Sequence, residues 1–172
     1  ADLLLLAGHP DDEILWFGGI LPVYAGARRK TVQVCIMVPT LPRRRLECLD
    51  GLWTCGVRNY PVFGYFRDSF SLSMKQQYER WDKTAVHKLV TGWIRRFKPD
   101  VVILHCPNTF LAEFIRPYLK NKQFKLVLYW HSDIIKQKLL GKLFYTQNMS
   151  LLSYADRVVA TSPNYIDGSE FL

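Results

Sequence analysis

A histidine and a pair of aspartates follow the first apolar run of the chain, and together they could bind a metal ion. The run Leu3–Ala7 has no polar interruption, which predicts a strand buried on both faces in the middle of a parallel sheet. His9, Asp11 and Asp12 come directly after it. A neutral imidazole and a carboxylate at such a tight turn can share one metal ion, and an adjacent acid can take a proton from metal-bound water. Acids in the first turn of a helix also complement the helix dipole, so part of this cluster has a structural explanation.

Three of the four histidines are predicted to lie at the carboxyl ends of strands. His9 follows the first strand, His105 the fourth and His131 the fifth. His87 lies in a predicted helix and is expected to be structural. Ligands bind at the carboxyl edge of open α/β sheets, and a strand order of 3-2-1-4-5-6 makes these three strands neighbours. We therefore expect the three imidazoles to converge on one site, although a single histidine at a strand end is more often a hydrogen-bonded loop residue.

The alternation of apolar runs and turn residues predicts the rest of the fold. Six strands alternate with five helices, which is typical of an α/β protein with a Rossmann-like, doubly wound parallel sheet in three α/β/α layers. The predicted strands cover Leu3–Ala7, 31–38, 61–66, 101–104, 124–130 and 157–160. The predicted helices run from the acid cluster to Gly26 and over 43–55, 84–97, 111–119 and 136–154. The polar segment 71–81 is expected to be a mobile loop over the site, and Gly18 and Gly19 to mark a close approach of the first helix to the sheet.

Length and composition place the chain in the globular class. Its 172 residues are 49% apolar and 22% charged, enough for one domain with a real hydrophobic core. The four cysteines show no C-x-x-C spacing and are expected to be reduced and buried. No apolar stretch approaches the ~18 residues of a membrane span, and the first apolar run is too short for a signal peptide. We therefore expect a cytoplasmic protein.

The chain is basic, with a formal net charge of +8 at pH 7 and a sequence pI near 9.4. The basic clusters begin at Arg28, Arg43 and Arg95, and none is interleaved with aromatic residues in a nucleic-acid-binding pattern. Nucleic acid is therefore not expected as a partner. A phosphorylated substrate or a peripheral contact with an anionic membrane is the alternative that this charge favours.

The segment His9-Pro10-Asp11-Asp12-Glu13 resembles the motif of the PIG-L/LmbE-like de-N-acetylases. These zinc enzymes remove acetyl groups from substrates that contain N-acetylglucosamine. The likeness extends from Leu3 to about Leu104 and includes residues 18–19, 44–56, 64–69 and 98–104.

This resemblance implies a role for each matching residue. His9 and Asp12 would be zinc ligands, and Asp11 would be the general base that activates zinc-bound water. Arg67 and Asp68 would line the pocket for an N-acetylated sugar or glycoconjugate.

The third zinc ligand is the point at which the chain departs from the family pattern. The family takes that ligand from a Gly-His-x-x-His segment just after the fourth strand, and the segment is absent here. His105, or alternatively His131, could serve instead, because a nitrogen about 2.1 Å from the metal meets the requirement.

From about Val101 onward the sequence is similar instead to the amino-terminal domain of GT-B glycosyltransferases of family 4. The matching residues are 104–108, 129–134, 137–140 and 155–165. This resemblance implies a domain that contacts the sugar acceptor, with the nucleotide-sugar held mainly by a second domain expected after Leu172. His131, Ser132 and Asp133 would then bind substrate, since their polar groups suit hydrogen bonding to sugar hydroxyls.

The two resemblances meet near residues 100–107, at a Pro-Asp-Val-Val strand pattern common to both families. We therefore treat residues 1–172 as one α/β domain of recombined origin, natural or engineered. Residues 1–104 are like a de-N-acetylase and residues 105–172 like a glycosyltransferase. Three functions stay open: a zinc-dependent de-N-acetylase-like hydrolase, inactive if its third ligand is missing; an acceptor-binding glycosyltransferase domain; and a chimeric fold without activity.

Overall fold

A parallel sheet forms the centre of the computed structural model, which describes residues 1–39, 41–68, 72–106, 109–131, 138–169 and 172. The strands in these residues are Leu3–Ala7 (β1), Val32–Ile36 (β2), Val62–Phe63 (β3), Val101–Cys106 (β4), Lys125–Trp130 (β5) and Arg157–Ala160 (β6). They lie in the order β3-β2-β1-β4-β5-β6, and every neighbouring pair is parallel. This confirms the predicted α/β class, the Rossmann-like doubly wound sheet and the strand order.

Helices connect the successive strands. The α-helices in the described residues are Asp12–Leu15 (α1), Pro42–Thr54 (α2), Met74–Arg80 (α3), Lys83–Phe97 (α4), Thr109–Leu119 (α5), Lys138–Tyr154 (α6) and Pro163–Gly168 (α7). A π-helical segment, Pro22–Ala27, lies between α1 and β2. Within the part of the chain that the structure describes, none of these helices is both long and apolar enough to cross a bilayer.

Both faces of β1 are buried, as its uninterrupted apolar sequence predicts. Leu4 and Leu6 pack into one core with apolar side chains of α4, α5 and α6. Leu3 and Leu5 alternate to the other face, where they pack with Phe17 and with residues of α2. Each such buried side chain stabilises the fold by about 1.5–3 kcal/mol. Two cores on opposite faces of one sheet give the predicted three-layer arrangement.

The first predicted helix is wrong as a continuous element. α1 has only four residues, and the chain then turns over residues 16–20. The π-helical segment begins at Pro22, which has no backbone N–H to donate to a preceding carbonyl. Gly18 lies in this turn, where an added Cβ would be 2.6 Å from the carbonyl oxygen of Ile14. Nothing lies within 4 Å of a Cβ added at Gly19. Gly18 therefore permits the turn, and neither glycine marks an approach to the sheet.

The polar segment predicted as a mobile loop contains a helix in its described part. The Ser73 hydroxyl accepts the N–H of Gln76, and the Gln76 side chain accepts the N–H of Ser73. This reciprocal capping box stabilises the start of α3, so the expectation of an irregular segment is wrong there. Just after α3 ends, the Trp81 indole donates to the carbonyl of Arg67 at 3.0 Å. The helix is thus attached to the loop after β3.

A second helix that the sequence pattern did not predict lies after β6. Ser162 caps α7 by accepting the N–H of Tyr165 at 3.2 Å. Pro163 occupies the first position of this helix, where its missing N–H does no harm.

The amino-terminal and carboxyl-terminal parts of the sequence join in one sheet. β1 pairs with β4 in parallel, with Leu3 opposite Val101 and Leu6 opposite Leu104. β4 extends to Cys106, beyond its predicted end, whereas β3 is limited to two residues. A recombined chain requires such a shared sheet, but a chain of single ancestry would form it as well. The recombined origin therefore stays a hypothesis.

All four cysteines lie in described residues and none forms a disulfide; Cys35, Cys48 and Cys106 are buried and Cys55 is half-buried. Burial raises the pKa of the Cys35 and Cys48 thiols, which keeps both protonated at neutral pH. These cysteines are small apolar residues of the core, as the sequence predicts.

Asp156 fastens the start of β6 to β5. Its carboxylate accepts the backbone N–H of Leu126 at 2.8 Å and also binds the ammonium groups of Lys122 and Lys125. Hydrogen bonds from Lys122 and from the Leu126 N–H hold the pKa of Asp156 well below its usual range.

Replacement of Asp156 by alanine should lower the free energy of unfolding at pH 7. The buried Leu126 would lose the acceptor of its N–H, a loss of about 1–3 kcal/mol. A carboxyl with a depressed folded pKa stabilises the protein above its unfolded pKa of about 3.9, and this contribution disappears as pH falls through the folded value. In urea unfolding, the free energy of unfolding should therefore be lower for the variant than for wild type at pH 7. This difference should become smaller below pH ~4. Asp167→Ala on α7 is the matched control. An equal difference in stability between Asp156→Ala and wild type at both pH values would contradict the role of the charge.

Candidate functional site

Asp12 is the centre of a side-chain cluster at the carboxyl ends of β1 and β4. Its Oδ2 accepts the backbone N–H of His9 at 2.9 Å and lies 3.9 Å from His9 Nδ1. The same oxygen lies 3.5 Å from Nδ1 of His105. The structure therefore brings two of the predicted imidazoles to one carboxylate oxygen.

The carboxyl of Asp12 is held in its ionised form. Burial, the largest influence, would raise its pKa, but hydrogen bonds from His105 and from the His9 N–H, with the charges of both imidazoles, hold that pKa below its usual value. The Asp12 side chain is only 14% exposed. A buried carboxylate is costly without partners, so these contacts fix the loop that follows β1.

His105 lies inside β4 rather than in a loop beyond it, opposite Tyr129 of β5. The residue is buried, and its Nδ1 faces Asp12. Among the described residues, its Nε2 has no hydrogen-bond partner. Buried nitrogens of this kind are rare in native proteins and are explained by a catalytic role, a bound ion or an ordered water.

His131 follows β5 and stacks on His105, with ring centroids 4.4 Å apart. Trp16 lies against His131, with a centroid distance of 4.5 Å. The Nδ1 of His131 is 2.6 Å from the carbonyl oxygen of Cys106. A carbonyl oxygen can only accept, so Nδ1 carries the proton and Nε2 the lone pair. Burial, followed by the charge of His105, lowers the pKa of His131, which keeps this third imidazole neutral.

A cavity of about 420 Å³ opens beside this cluster, a size typical of small-molecule sites. Its lining residues are His9, Pro10, Asp11, Asp12, Val38, Arg44 and Asp68. Asp68, from the loop after β3, lies opposite His9, with 3.6 Å between Asp68 Oδ1 and His9 Nε2. Three carboxylates, an imidazole and a guanidinium therefore line the cavity, which suits a polar ligand.

The two neighbouring aspartates face different surroundings. Asp11 Oδ2 accepts from Arg44 Nη2 at 3.1 Å, and the same nitrogen donates to the carbonyl of Pro10 at 2.9 Å. The Asp11 side chain is 48% exposed, against 14% for Asp12. Adjacent carboxylates in such different environments can take different chemical roles.

Arg44 is a site residue that sequence reasoning missed. It belongs to three successive arginines in the first turn of α2, where cations oppose the helix dipole. The conflict is relieved by ion pairs, because Glu47 accepts from both Arg43 and Arg44. Basic residues in a position that the dipole disfavours are the signal that could have pointed to Arg44.

Zinc is the metal that the resemblance implies, and the residues present meet part of its requirements. Among the residues that the structure describes, no three His, Cys, Asp or Glu side chains are grouped so that they could hold a metal ion. Donor atoms of one tetrahedral zinc ion lie about 3.3 Å apart, given bonds of about 2.0–2.1 Å. The separation of 3.5 Å from Asp12 Oδ2 to His105 Nδ1 is near that value, and the separation of 3.9 Å to His9 Nδ1 is longer. The donor types therefore suit zinc, whereas a closed three-ligand set requires a further approach of the side chains.

Comparison with known proteins finds two kinds of relative, and no protein-family model matches the chain. A D-rhamnosyltransferase of Pseudomonas aeruginosa is 38% identical over 73 residues, which are 42% of this chain and 19% of that enzyme. O-antigen chain mannosyltransferase C of Escherichia coli is 34% identical over 84 residues, 46% of this chain and 22% of that protein. The chain thus matches about a fifth of the length of these relatives.

Solved structures give the second kind of similarity. An N,N'-diacetylchitobiose deacetylase from Pyrococcus horikoshii matches with a TM-score of 0.53 and 18% identity, over 70% of this chain and 50% of that one. A Listeria monocytogenes protein assigned as a UDP-N-acetylglucosamine 2-epimerase matches with a TM-score of 0.64 and 11% identity, over 96% of this chain and 41% of that one. At these identities the likeness shows the α/β fold alone.

The remaining predicted residues differ in their placement. Asp68 lines the cavity, whereas the side chain of Arg67 is exposed and is not among the lining residues. Ser132 and Asp133 lie outside the described residues, so their assignment to substrate binding stays a prediction. His87 lies in α4 with its ring against Tyr118, as expected for a structural residue.

His131 should titrate below the ordinary histidine pKa of about 6.5 in the metal-free protein. Because the pKa of His131 is lower in the folded state than in the unfolded state, protonation of this ring favours unfolding. The free energy of unfolding should therefore decrease as pH falls below the unfolded pKa. Imidazole ¹⁵N and ¹³C shifts followed by NMR between pH 4 and pH 8 check both the pKa and the tautomer. A pKa above the ordinary value, or a proton on Nε2 in the neutral ring, would contradict the hydrogen bond to Cys106.

Proposed function

We propose that this chain is a carbohydrate-active α/β protein with a hydrolytic site at the carboxyl end of β1. The reaction would be zinc-dependent removal of an acetyl group from an N-acetylated sugar or glycoconjugate. One observation carries the proposal: Oδ2 of the half-buried Asp12 lies 3.9 Å from a ring nitrogen of His9 and 3.5 Å from one of His105. The likeness in fold to a chitobiose deacetylase supports the same reading.

Zinc would be held by His9, Asp12 and His105. These residues supply two imidazoles and one carboxylate, and such a set leaves a position open for water or substrate. A bound zinc ion would polarise the amide carbonyl and lower the pKa of a water molecule. His105 is the proposed third ligand because it contacts Asp12 directly, whereas His131 contacts His105.

Asp11 is the proposed general base. It neighbours the ligand Asp12 in sequence and lines the cavity, where a substrate would lie, with a more exposed side chain than Asp12. Its carboxylate does not contact either imidazole in the described ion pairs; it accepts from Arg44, which fixes its orientation. A positioned carboxylate of this kind can take a proton from water during attack on an amide.

Asp68 is the proposed group for binding sugar hydroxyls. It lies across the cavity from His9, and its carboxylate can accept hydrogen bonds from two hydroxyls. The basic surface would favour a substrate that also carries phosphate.

A second candidate function is acceptor binding as part of a glycosyltransferase. The identities of 38% and 34% to two glycosyltransferases favour it. His131 at the end of β5, with Ser132 and Asp133 after it, would then contact the acceptor. The two candidates place the sugar at the ends of different strands, β1 for hydrolysis and β5 for acceptor binding.

Substitution of the two aspartates should separate zinc binding from catalysis. Asp12→Ala should reduce bound zinc from about one ion per chain to near none, because two ring nitrogens alone make a weak site. Asp11→Asn should retain zinc yet lose deacetylation by about 10²–10⁴-fold, the usual contribution of a general base. Elemental analysis of dialysed protein and an amine-release assay on an N-acetylglucosaminyl substrate measure these effects. Asp50→Asn on α2 is the control, and zinc that stays bound to Asp12→Ala would refute the ligand assignment.

Sugar titration followed by NMR should locate the binding site. The hydrolytic proposal expects N-acetylglucosamine to shift the backbone N–H signals of His9, Asp11 and Asp12, which border the cavity. Acceptor binding expects the largest shifts at Trp130 and His131 instead. Shifts confined to residues 130–131 would favour the second candidate over the first.

A further inference from the structure

Glu13 is an acid that the proposed reaction does not use, and it is almost completely buried. Only 1% of the residue is exposed, although glutamates are almost never fully buried without a partner. Its Oε2 accepts the backbone N–H of Asp11 at 2.9 Å. Burial raises the pKa of Glu13, and the N–H of Asp11 and the thiol of Cys48 partly oppose that rise by hydrogen bonding to the carboxyl.

The backbone of Asp11 has a conformation that side chains rarely adopt. Its φ is 139° and its ψ is −28°, in a region that favours glycine. Its carbonyl accepts the N–H groups of Ile14 and Leu15 at 3.0 and 2.8 Å, and its own N–H is held by Glu13. Hydrogen bonds therefore fix both peptide groups of Asp11, which is what a strained residue needs in order to persist.

This conformation is what separates the two aspartates. The carboxylate of Asp11 pairs with Arg44 of α2, while that of Asp12 contacts His9 and the buried His105. If the Asp11 peptide relaxed, the directions of both carboxylates would change together, because they are joined through that peptide.

We propose that Glu13 is a positioning residue that holds the strained peptide of Asp11, so that the Asp11 carboxylate meets Arg44 and the Asp12 carboxylate meets the histidines. The catalytic part of this inference rests on the proposed function, since it takes Asp11 as the general base. The structural part, the dependence of the Asp11 peptide on Glu13, does not.

A simpler role for Glu13 is that of an acid in the first turn of a helix, where it complements the dipole. That role needs only a negative charge near the start of the helix. It does not explain why the Glu13 side chain is buried or why it accepts a hydrogen bond from the Asp11 N–H. It predicts that aspartate would replace Glu13 well and that glutamine would not. The positioning role predicts the reverse, because glutamine keeps an oxygen at the same reach while aspartate is one methylene shorter.

Four variants test the positioning role: Glu13→Gln, Glu13→Asp, Glu13→Leu, and Glu79→Gln on α3 as the exposed control. Hydrogen exchange of the Asp11 amide, measured by NMR on the full chain, should remain slow in wild type, Glu13→Gln and the control. It should become about tenfold or more faster in Glu13→Asp and Glu13→Leu, as expected for a broken hydrogen bond. If Glu13→Leu does not fold, the comparison of Glu13→Gln with Glu13→Asp still tests the positioning role.

Kinetics on the zinc-loaded protein give the second measurement. Glu13→Asp should lower kcat by about tenfold or more and leave KM within about twofold, because the base is displaced while sugar contacts are unchanged. Slow Asp11 exchange in Glu13→Asp, or faster exchange in Glu13→Gln than in Glu13→Asp, would overturn the inference. If wild type neither binds zinc nor deacetylates, the proposed function fails, and the exchange pattern still supports or refutes the role of Glu13.

Discussion

The contact of one half-buried carboxylate with two strand ends is the constraint on which the site depends. Asp12 follows β1, and its Oδ2 meets both His9 and the buried His105 of β4. A charge that is 14% exposed must find partners, and here the partners come from neighbouring strands. Removing the His105 ring would leave the His9 N–H as the remaining hydrogen-bond donor described for this carboxylate, which is unfavourable at such low exposure. Contacts with the middle of the sheet, rather than local conformational propensity, therefore determine the conformation of the loop after β1.

Around this contact, the chain assigns opposite environments to groups that are adjacent in sequence. Asp11 is held outward by Arg44 from α2, and Asp12 is held inward by imidazoles. Glu13 turns inward again, towards the Asp11 peptide and Cys48. Three successive acids thus have three separate functions in the structure, although a sequence shows only a cluster of like charges. A hydrolytic site needs such a division, with one carboxylate as ligand and another as base.

The sequence predicted the parts of the fold that depend on local pattern. Uninterrupted apolar runs located β1 and β4, and the alternation of elements led to the observed sheet order, which brings His9 and His105 together. It did not predict α3, because the polar residues of that helix carry little periodic signal and its start depends on the Ser73 cap. Contacts such as Arg44 to Asp11 span 33 residues and follow from how α2 packs, so a local pattern can mark Arg44 as unusual but cannot identify its partner.

Two resemblances meet in one sheet, and the pairing of β1 with β4 is the place where they meet. The motif that resembles the deacetylases follows the first of these strands, and the segment that resembles the glycosyltransferases begins on the second. The proposed ligand set crosses the same boundary, since His9 and Asp12 come from one part and His105 from the other. A chain that binds zinc through all three would have a site that neither part supplies alone.

Anomalous diffraction at the zinc edge, from crystals of the wild-type protein soaked in zinc, tests this central claim most directly. The account predicts one strong peak within about 2.2 Å of donor atoms of His9, Asp12 and His105. No peak at this position, or a peak bound only by surface residues away from β1 and β4, would contradict it.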